Sequence, residues 1–270
     1  MSVTEIPELR IELAPAAEAV ERAGRRLADL LSTVDEPERD VGGLEWTLHE
    51  LVAHLAGRSG RFAAYLSGTA MPGGEIAGLA EENRRDVRER HRRPVADLVD
   101  ELRSNVASFV ATTHGKLGAD PFPWYSGVTL DVATASGLLL AELVVHGFDA
   151  ARTLGHPRPI ASADARTIIR ASATLAPWYV DPDATRGDRT TYRISVRGGP
   201  AFRVRIDDGT ASIEPAEGDA DCTIRADAAT LVLLSFGRIG RWRATARGRL
   251  VATGRRPWRA LRFDRAFLRP

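Results

Sequence analysis

Apolar residues recur at helical spacing through the first 155 residues, and this pattern predicts a series of amphipathic helices. Side chains three and four apart share one helical face, so each segment can bury a stripe against its neighbours. Four long segments fit this pattern: 16–34, 47–66, 95–114 and 129–154. A shorter segment, 76–92, fits it in the connection between the second and third of these. We therefore predict an all-α four-helix bundle in residues 1–155.

The pattern changes after residues 155–159, where glycine and proline mark a linker. Short stretches of alternating apolar and polar residues then predict strands at 191–196, 201–206, 211–214, 222–225 and 244–252. Helical spacing returns at 163–178, 227–237 and 257–268. Residues 160–270 are therefore predicted to form a second domain of the α+β class.

Residues 138–148 (LLLAELVVHGF) are apolar nearly all the way round the predicted last helix of the bundle. Glu142, His146 and Asp149 lie at i, i+4 and i+7, so they project from one face of it. A helix of this kind is normally buried, and burying an ionised carboxylate is costly unless it is paired or bound to a metal. Glu142 and His146 could satisfy each other or a neighbouring helix. A divalent metal is the other solution.

A third candidate ligand lies on the second helix, where Thr47 can cap the N-terminus and Glu50 can complete a capping box. His54 lies at the edge of the apolar face of this helix. His49 lies about 140° away from it around the helix and is expected at the surface. His54, Glu142 and His146 would form a site of two histidines and one carboxylate. Three protein ligands leave a coordination position open, which is typical of catalytic zinc.

Composition narrows the class of protein. With 270 residues the chain can form two domains, and its net charge of +1 gives no overall attraction to polyanions. The single cysteine, Cys222, excludes an internal disulfide and fits a reducing cytoplasm; we expect it to be a small buried residue of a strand. We find neither an uninterrupted apolar run of membrane-spanning length nor a secretory segment, so we expect a cytoplasmic protein without membrane association.

Several segments carry a family resemblance. WTLHELVAHL (46–55), EENRRDVRERHRRPVADLVDEL (81–102) and AELVVHGFDAAR (141–152) resemble the mycothiol-dependent maleylpyruvate isomerase family. ADCTIRADAATLVLLSFGR (220–238) and ATARGRLVATG (244–254) resemble the sterol-carrier-type domain that follows in that family. The resemblance covers nearly the whole chain. It implies two domains, a DinB-like metal-binding four-helix bundle and a sterol-carrier-type α+β domain.

The resemblance also implies site residues. In the family a divalent metal, usually zinc, is held at the positions of His54, Glu142 and His146, and an acidic residue near it matches Asp149. An arginine of the second domain reaches toward the site, and Arg225 is our candidate for it. The resemblance implies a thiol cofactor, and it supports this chemistry more strongly than it supports maleylpyruvate as substrate.

These residues suggest an enzymatic mechanism. The open position would take the sulfur of mycothiol or a similar thiol, and the resulting thiolate would attack an electrophilic small molecule, giving isomerisation or S-transfer. Asp149 could orient a ligand histidine or bind the cofactor; alternatively, it pairs with Arg152 or Arg166. Arg58, one turn past His54, is the candidate cofactor-binding residue and could meet a substrate carboxylate; the alternative is a solvated arginine at the surface.

Two other functions compete with this hypothesis. The sterol-carrier-type half could supply an apolar pocket, which would make the chain a non-catalytic lipid or small-molecule binding protein with a structural metal. The C-terminal segment could bind nucleic acid, since Trp242 and Trp258 lie there among arginines 238, 241, 243, 247, 249, 255, 256, 259, 262, 265 and 269. The near-neutral charge of the chain and the acidic residues available to these arginines, such as those of 81–89, argue against nucleic-acid binding.

We expect the protein to be a monomer or homodimer.

Overall fold

The computed structural model describes residues 6–268, which form two compact units. One unit consists of residues 11–160, and the other combines residues 6–10 with residues 161–268. The short N-terminal segment is held in the second unit by Arg170, whose Nε donates a hydrogen bond to the carbonyl oxygen of Glu8 at 3.0 Å. The outer ends of the predicted domains, residues 1–5 and 269–270, lie outside the described residues.

The first unit is helical, as the periodicity predicts. Helices α1, α2, α4 and α5 form a four-helix bundle in which α1 packs on α4 and α5, and α2 packs on the same two helices. The shorter α3 lies in the connection between α2 and α4 and packs on α2. The bounds of these helices are α1 Leu13–Leu31, α2 Leu48–Ser67, α3 Leu79–Arg90, α4 Val95–Thr113 and α5 Val132–Thr153.

Local interactions fix where the two longest helices begin. At α2 the capping box predicted from the sequence is confirmed, since Thr47 Oγ1 accepts from the backbone N–H of Glu50 and Glu50 Oε2 accepts from that of Thr47. At α5 the Asp131 carboxylate accepts a hydrogen bond from the backbone N–H of Thr134 at 2.6 Å. These caps set the position of every later residue along each helix.

A short antiparallel hairpin, which the helical pattern does not predict, precedes α5. Its strands are β1 (Pro121–Pro123) and β2 (Thr129–Asp131). Phe122 is paired with Leu130, and both side chains are buried against the bundle. The buried pair of an aromatic and an aliphatic side chain therefore anchors the hairpin on the bundle immediately before α5 begins.

The second unit is α+β, again as predicted. Its five-stranded sheet has the order β5-β4-β3-β6-β7, in which only the β3/β6 pair is parallel. Along β3, β4 and β6 buried residues alternate with more exposed ones, because one face of the sheet covers the core of the unit. The elements are α6 Ser162–Leu175, β3 Arg189–Val196, β4 Ala201–Asp207, β5 Thr210–Pro215, β6 Cys222–Ala226, α7 Ala228–Ser235, α8 Arg241–Ala246, β7 Leu250–Thr253 and α9 Ala260–Phe263.

Two predicted elements near the C-terminus are wrong. Instead of one strand over 244–252, the chain forms α8, turns at Gly248 with φ of 64°, and only then enters β7. Instead of a helix over 257–268, a short turn leads into α9, which ends at Phe263. The chain then pairs with a distant segment, since Phe267 forms a β-bridge with Val180. Long-range pairing therefore overrides the local helical period here.

Among the described residues, α5 is long and apolar enough to cross a membrane by length and composition alone. However, 67% of its most apolar window is buried inside the protein. The core helix of a soluble protein has the same property, so the apolar character of α5 is explained by its place in the bundle.

Close packing of α1 on α4 generates a stability prediction. A Cβ added at Gly24 would lie 2.7 Å from Val106 Cγ1. Such overpacking costs about 1–3 kcal/mol, and the helix-propensity gain of up to about 1 kcal/mol offsets only part of it, so Gly24→Ala is expected to lower the free energy of unfolding. Gly147→Ala is the matched control: its Cβ would lie at an ordinary 3.8 Å from Leu27 Cδ1, and the higher helix propensity of alanine should stabilise the bundle by up to about 1 kcal/mol.

Urea denaturation followed by the helical circular dichroism signal measures both variants. Equal losses of stability in the two variants would contradict the packing argument for Gly24.

Candidate metal centre

The packing of α2 on α5 brings the three predicted ligands together. His54 comes from α2, and Glu142 and His146 come from successive turns of α5. The Nε2 atoms of both histidines lie 3.4 Å from the same oxygen, Glu142 Oε2. Two ligand atoms about 2.0–2.1 Å from a tetrahedral zinc stand roughly 3.4 Å apart. The nitrogen and oxygen donors therefore have the chemistry and the spacing that a divalent metal needs.

The environments of the two histidines differ. Burial lowers the pKa of His54 to about 4, so its imidazole is neutral near pH 7, the form that binds metals. Burial alone would also lower the pKa of His146, but hydrogen bonding to Asp149 and Glu142 outweighs it and raises that pKa. The Nδ1 atom of His54 is buried and has no hydrogen-bond partner among residues 6–268.

Glu142 is held in its ionised form. Burial alone would raise the pKa of its carboxyl group, but the charge of Arg58 and hydrogen bonds from His146 and His54 bring the pKa well below its usual value. Arg58 Nε donates a hydrogen bond of 3.0 Å to Glu142 Oε1. One carboxylate oxygen thus contacts the arginine, and the other faces the two imidazoles.

Arg58 is buried, with only 4% of its surface exposed, so the alternative of a solvated surface arginine is wrong. Its guanidinium lies over two aromatic rings, 5.2 Å from the centroid of Phe62 and 5.6 Å from that of Trp124. Such cation–π contacts favour an arginine over the flexible point charge of a lysine. The contact with Glu142 makes Arg58 a counter-ion of the candidate ligands, and its binding of a cofactor stays a prediction.

Asp149 lies one turn beyond His146 and is fully buried. Its Oδ2 atom is 3.5 Å from His146 Nδ1, while the Nε2 atom of the same ring faces Glu142. A carboxylate behind a histidine commonly fixes the ring of a metal ligand. Arg152 was one of the two arginines considered as a partner of Asp149. It donates a hydrogen bond to the carbonyl oxygen of Gly42 and lies over the ring of Phe148.

Trp46 is a neighbour of the site that the sequence analysis did not assign. Its ring centroid lies 4.5 Å from that of His54 and 6.1 Å from that of His146. The available signal is its position immediately before Thr47, the N-cap of the helix that carries His54. A large residue at this position packs back on the helix it precedes, and here the indole covers the two imidazoles.

Arg225 lies in the other unit, on β6. Its side chain is exposed, on the face of the sheet opposite the buried neighbours Ile224 and Ala226. In the sheet register it is paired with Ser195 of β3 and Val251 of β7. That it reaches toward the metal ligands stays a prediction.

Several arginines of the C-terminal segment have acidic partners within their own unit. Arg259 pairs with Asp188 at 3.0 Å, and Arg241 pairs with Asp264 at 3.3 Å. Arg255 lies 3.7 Å from Asp221. These ion pairs reduce the charge available to a polyanion, which weakens the nucleic-acid hypothesis. Of the residues named for it, Trp242 and Trp258 are exposed and Arg269 lies outside the described residues.

A cavity of about 370 Å³ in the second unit bears on the lipid-binding alternative. Its lining consists mainly of charged and hydroxyl-bearing residues: Arg189, Thr190, Thr191, Arg205, Ile206 and Asp207. An apolar ligand needs predominantly apolar walls, so this cavity does not favour a lipid.

Comparison with known proteins agrees with this architecture. Residues 20–151 match the model of the mycothiol maleylpyruvate isomerase N-terminal domain, and residues 172–255 match that of the SCP-2 sterol transfer family. No curated protein sequence matches the chain.

The crystal structure of a mycothiol-dependent maleylpyruvate isomerase aligns with a TM-score of 0.56 at 13% identity, over 94% of this chain and 95% of that one. A histidine-to-alanine mutant of that enzyme gives the same values. At this identity the two structures support the fold alone. The chain therefore contains a domain of the mycothiol maleylpyruvate isomerase N-terminal type followed by a domain of the SCP-2 sterol transfer type, the two domains in the order that the family resemblance implies.

Proposed function

We propose that this protein is a metal-dependent enzyme that uses mycothiol or a similar thiol either to isomerise an electrophilic small molecule or, by S-transfer, to form a thioether with it as the thiolate displaces a leaving group. The observation that carries the proposal is the convergence of His54, Glu142 and His146 within a domain of the mycothiol maleylpyruvate isomerase type. Its partners would be two small molecules, the thiol and the electrophile. The enzyme would be a monomer or homodimer in the cytoplasm.

His54, Glu142 and His146 would hold the metal, for which the two imidazoles and one carboxylate favour zinc. Bound zinc lowers the pKa of a coordinated thiol, so that the nucleophilic thiolate is available at neutral pH, where a free thiol of pKa about 8.5 is mostly protonated. Three protein ligands would leave a coordination position for the cofactor.

The surrounding residues would prepare this site. Arg58 balances the charge of Glu142, and its contact with the rings of Phe62 and Trp124 keeps it in place. Asp149 would act as a positioning residue that holds the ring of His146. Trp46 covers the imidazoles and limits the access of water from its side. The family resemblance implies an arginine from the second domain near the metal, and Arg225, our candidate for it, would bind an anionic group of the electrophile.

The first experiment tests the metal and the thiol together. In the cobalt-substituted protein, addition of mycothiol is expected to produce a sulfur-to-metal charge-transfer band. In His146→Ala the band should be lost and the tightly bound metal should fall by one equivalent, while the circular dichroism spectrum stays that of a folded bundle. His114→Ala, which changes an exposed histidine outside the site, is the control. An unchanged cobalt spectrum at saturating mycothiol would refute the thiol assignment.

The second experiment tests the charge balance around Glu142. Arg58→Met removes the counter-ion and leaves the largely buried carboxylate facing only the two imidazoles, a loss of up to about 3–5 kcal/mol in metal-free protein. Because a bound cation would take over this charge, the loss of stability should be clearly smaller in saturating zinc. The control is Arg61→Met, which interrupts ion pairs with Glu82 and Asp86 of α3. Its loss should be the same with and without zinc.

Chemical denaturation in chelator and in zinc measures both variants. If Arg58→Met loses equal stability under the two conditions, no cation binds next to Glu142.

The third experiment concerns Arg225. Arg225→Ala should lower kcat/KM at least about tenfold with a carboxylate-bearing electrophile such as maleylpyruvate, because a charge-assisted contact of roughly 1.5–3 kcal/mol would be lost. Bound metal should stay unchanged. Arg189→Ala, an exposed arginine at the start of β3, is the control. Unchanged turnover in Arg225→Ala would remove this residue from the proposed site.

A further inference from the structure

A second group of metal-binding side chains lies in the helical unit, outside the centre described above. It consists of Glu38 from the connection between α1 and α2, His49 from the first turn of α2, and His91 from the end of α3. One ligand atom from each residue lies within 4.8 Å of the other two. His49 was expected at the surface, yet only 13% of its side chain is exposed.

The connection between α1 and α2 is built against the start of α2, and this holds Glu38 in place. The backbone N–H of His49 donates to the carbonyl oxygen of Pro37 at 2.8 Å, and that of Leu48 donates to the carbonyl oxygen of Arg39 at 2.9 Å. Backbone bonds thus flank Glu38 on both sides. The carboxylate is presented to His49 by a fixed turn rather than by a free loop.

The hydrogen bonds of His49 identify its available nitrogen. His49 Nε2 lies 2.9 Å from the carbonyl oxygen of Arg93, and because a carbonyl can only accept, Nε2 carries a proton. A neutral His49 therefore has a lone pair on Nδ1. This lone pair points toward Glu38 Oε1 at 3.2 Å, so two acceptors face each other. Such an arrangement needs a positive charge between them, either a proton or a metal ion.

His91 makes the metal the better explanation. Its Nε2 atom lies 3.7 Å from Glu38 Oε2, and its ring centroid is 4.1 Å from that of His49. His49 Nδ1 lies 3.2 Å from Glu38 Oε1, and His91 Nε2 lies 3.7 Å from the other oxygen, Oε2. Both distances are close to the separation of roughly 3.4 Å between two ligands of a tetrahedral metal, so a carboxylate that offers both oxygens could share one ion with the two imidazoles. The bond from His49 to the Arg93 carbonyl also matches the way proteins commonly fix the tautomer of a metal-ligating histidine.

We propose that Glu38, His49 and His91 form a second divalent-metal site. Imidazole nitrogens and one carboxylate select zinc, nickel, cobalt or copper over magnesium and calcium, which prefer oxygen ligands. Glu38 has 64% of its side chain exposed and His91 has 38%, so the site is open to solvent and its metal can exchange. A bound ion would link the α1–α2 connection to α2 and α3.

Zinc titration of the metal-free full-length chain, with a chromophoric chelator as competitor, tests the proposal. The wild type is expected to bind two equivalents, and His91→Ala and His146→Ala one each. The double variant should bind none and His114→Ala two. Glu38→Gln, which keeps the shape of the side chain, should weaken the second site at least tenfold. A large excess of magnesium should not displace the zinc.

The pattern of losses separates this site from the centre at Glu142. If only the second site exists, the wild type binds one equivalent and His91→Ala none, which supports this inference and refutes the other centre. If His91→Ala binds as much zinc as the wild type, or if folded His146→Ala binds none, the proposed second site is refuted. A proton would then bridge His49 and Glu38.

Discussion

The partly buried carboxylate of Glu142 is the constraint on which the helical unit depends. Ionised and only partly reached by solvent, it needs positive charge or hydrogen-bond donors on both oxygens. Arg58 serves one oxygen and the imidazoles of His54 and His146 face the other. The rings of Phe62 and Trp124 then account for the otherwise costly burial of the arginine. The Glu142 side chain therefore determines the packing around Arg58, the balance of charge and the candidate metal ligands.

The sequence predicted the parts of this arrangement that depend on local spacing. Glu142, His146 and Asp149 share a face because helical geometry requires it, and the capping box at Thr47 follows from residues three apart. The burial of Arg58 was not predictable in this way. Phe62 lies four residues after Arg58 on the same helix, but Trp124 comes from the β1–β2 connection and Glu142 from α5, and only the tertiary structure brings these two next to Arg58.

The difference between local spacing and tertiary contacts also explains two wrong predictions, the C-terminal helix and the surface exposure of His49. At the C-terminus an apolar period compatible with a helix was overridden by pairing between Phe267 and Val180, segments far apart in the chain. His49 does point away from His54, as its position on α2 requires, but His91 and Glu38 cover it. A helical wheel shows which way a side chain points. It does not show what another segment places above it.

The contact of α2 with Glu142 has a consequence for how such sequences can change over time. His54 and Arg58 are four residues apart on α2, and both contact the same carboxylate of α5. A relative that lost Glu142 alone would keep a buried guanidinium without this counter-ion. Replacement at position 142 should therefore be accompanied by replacement at position 58, and a family member with an apolar residue at both positions would mark a lineage that has given up the site while keeping the bundle.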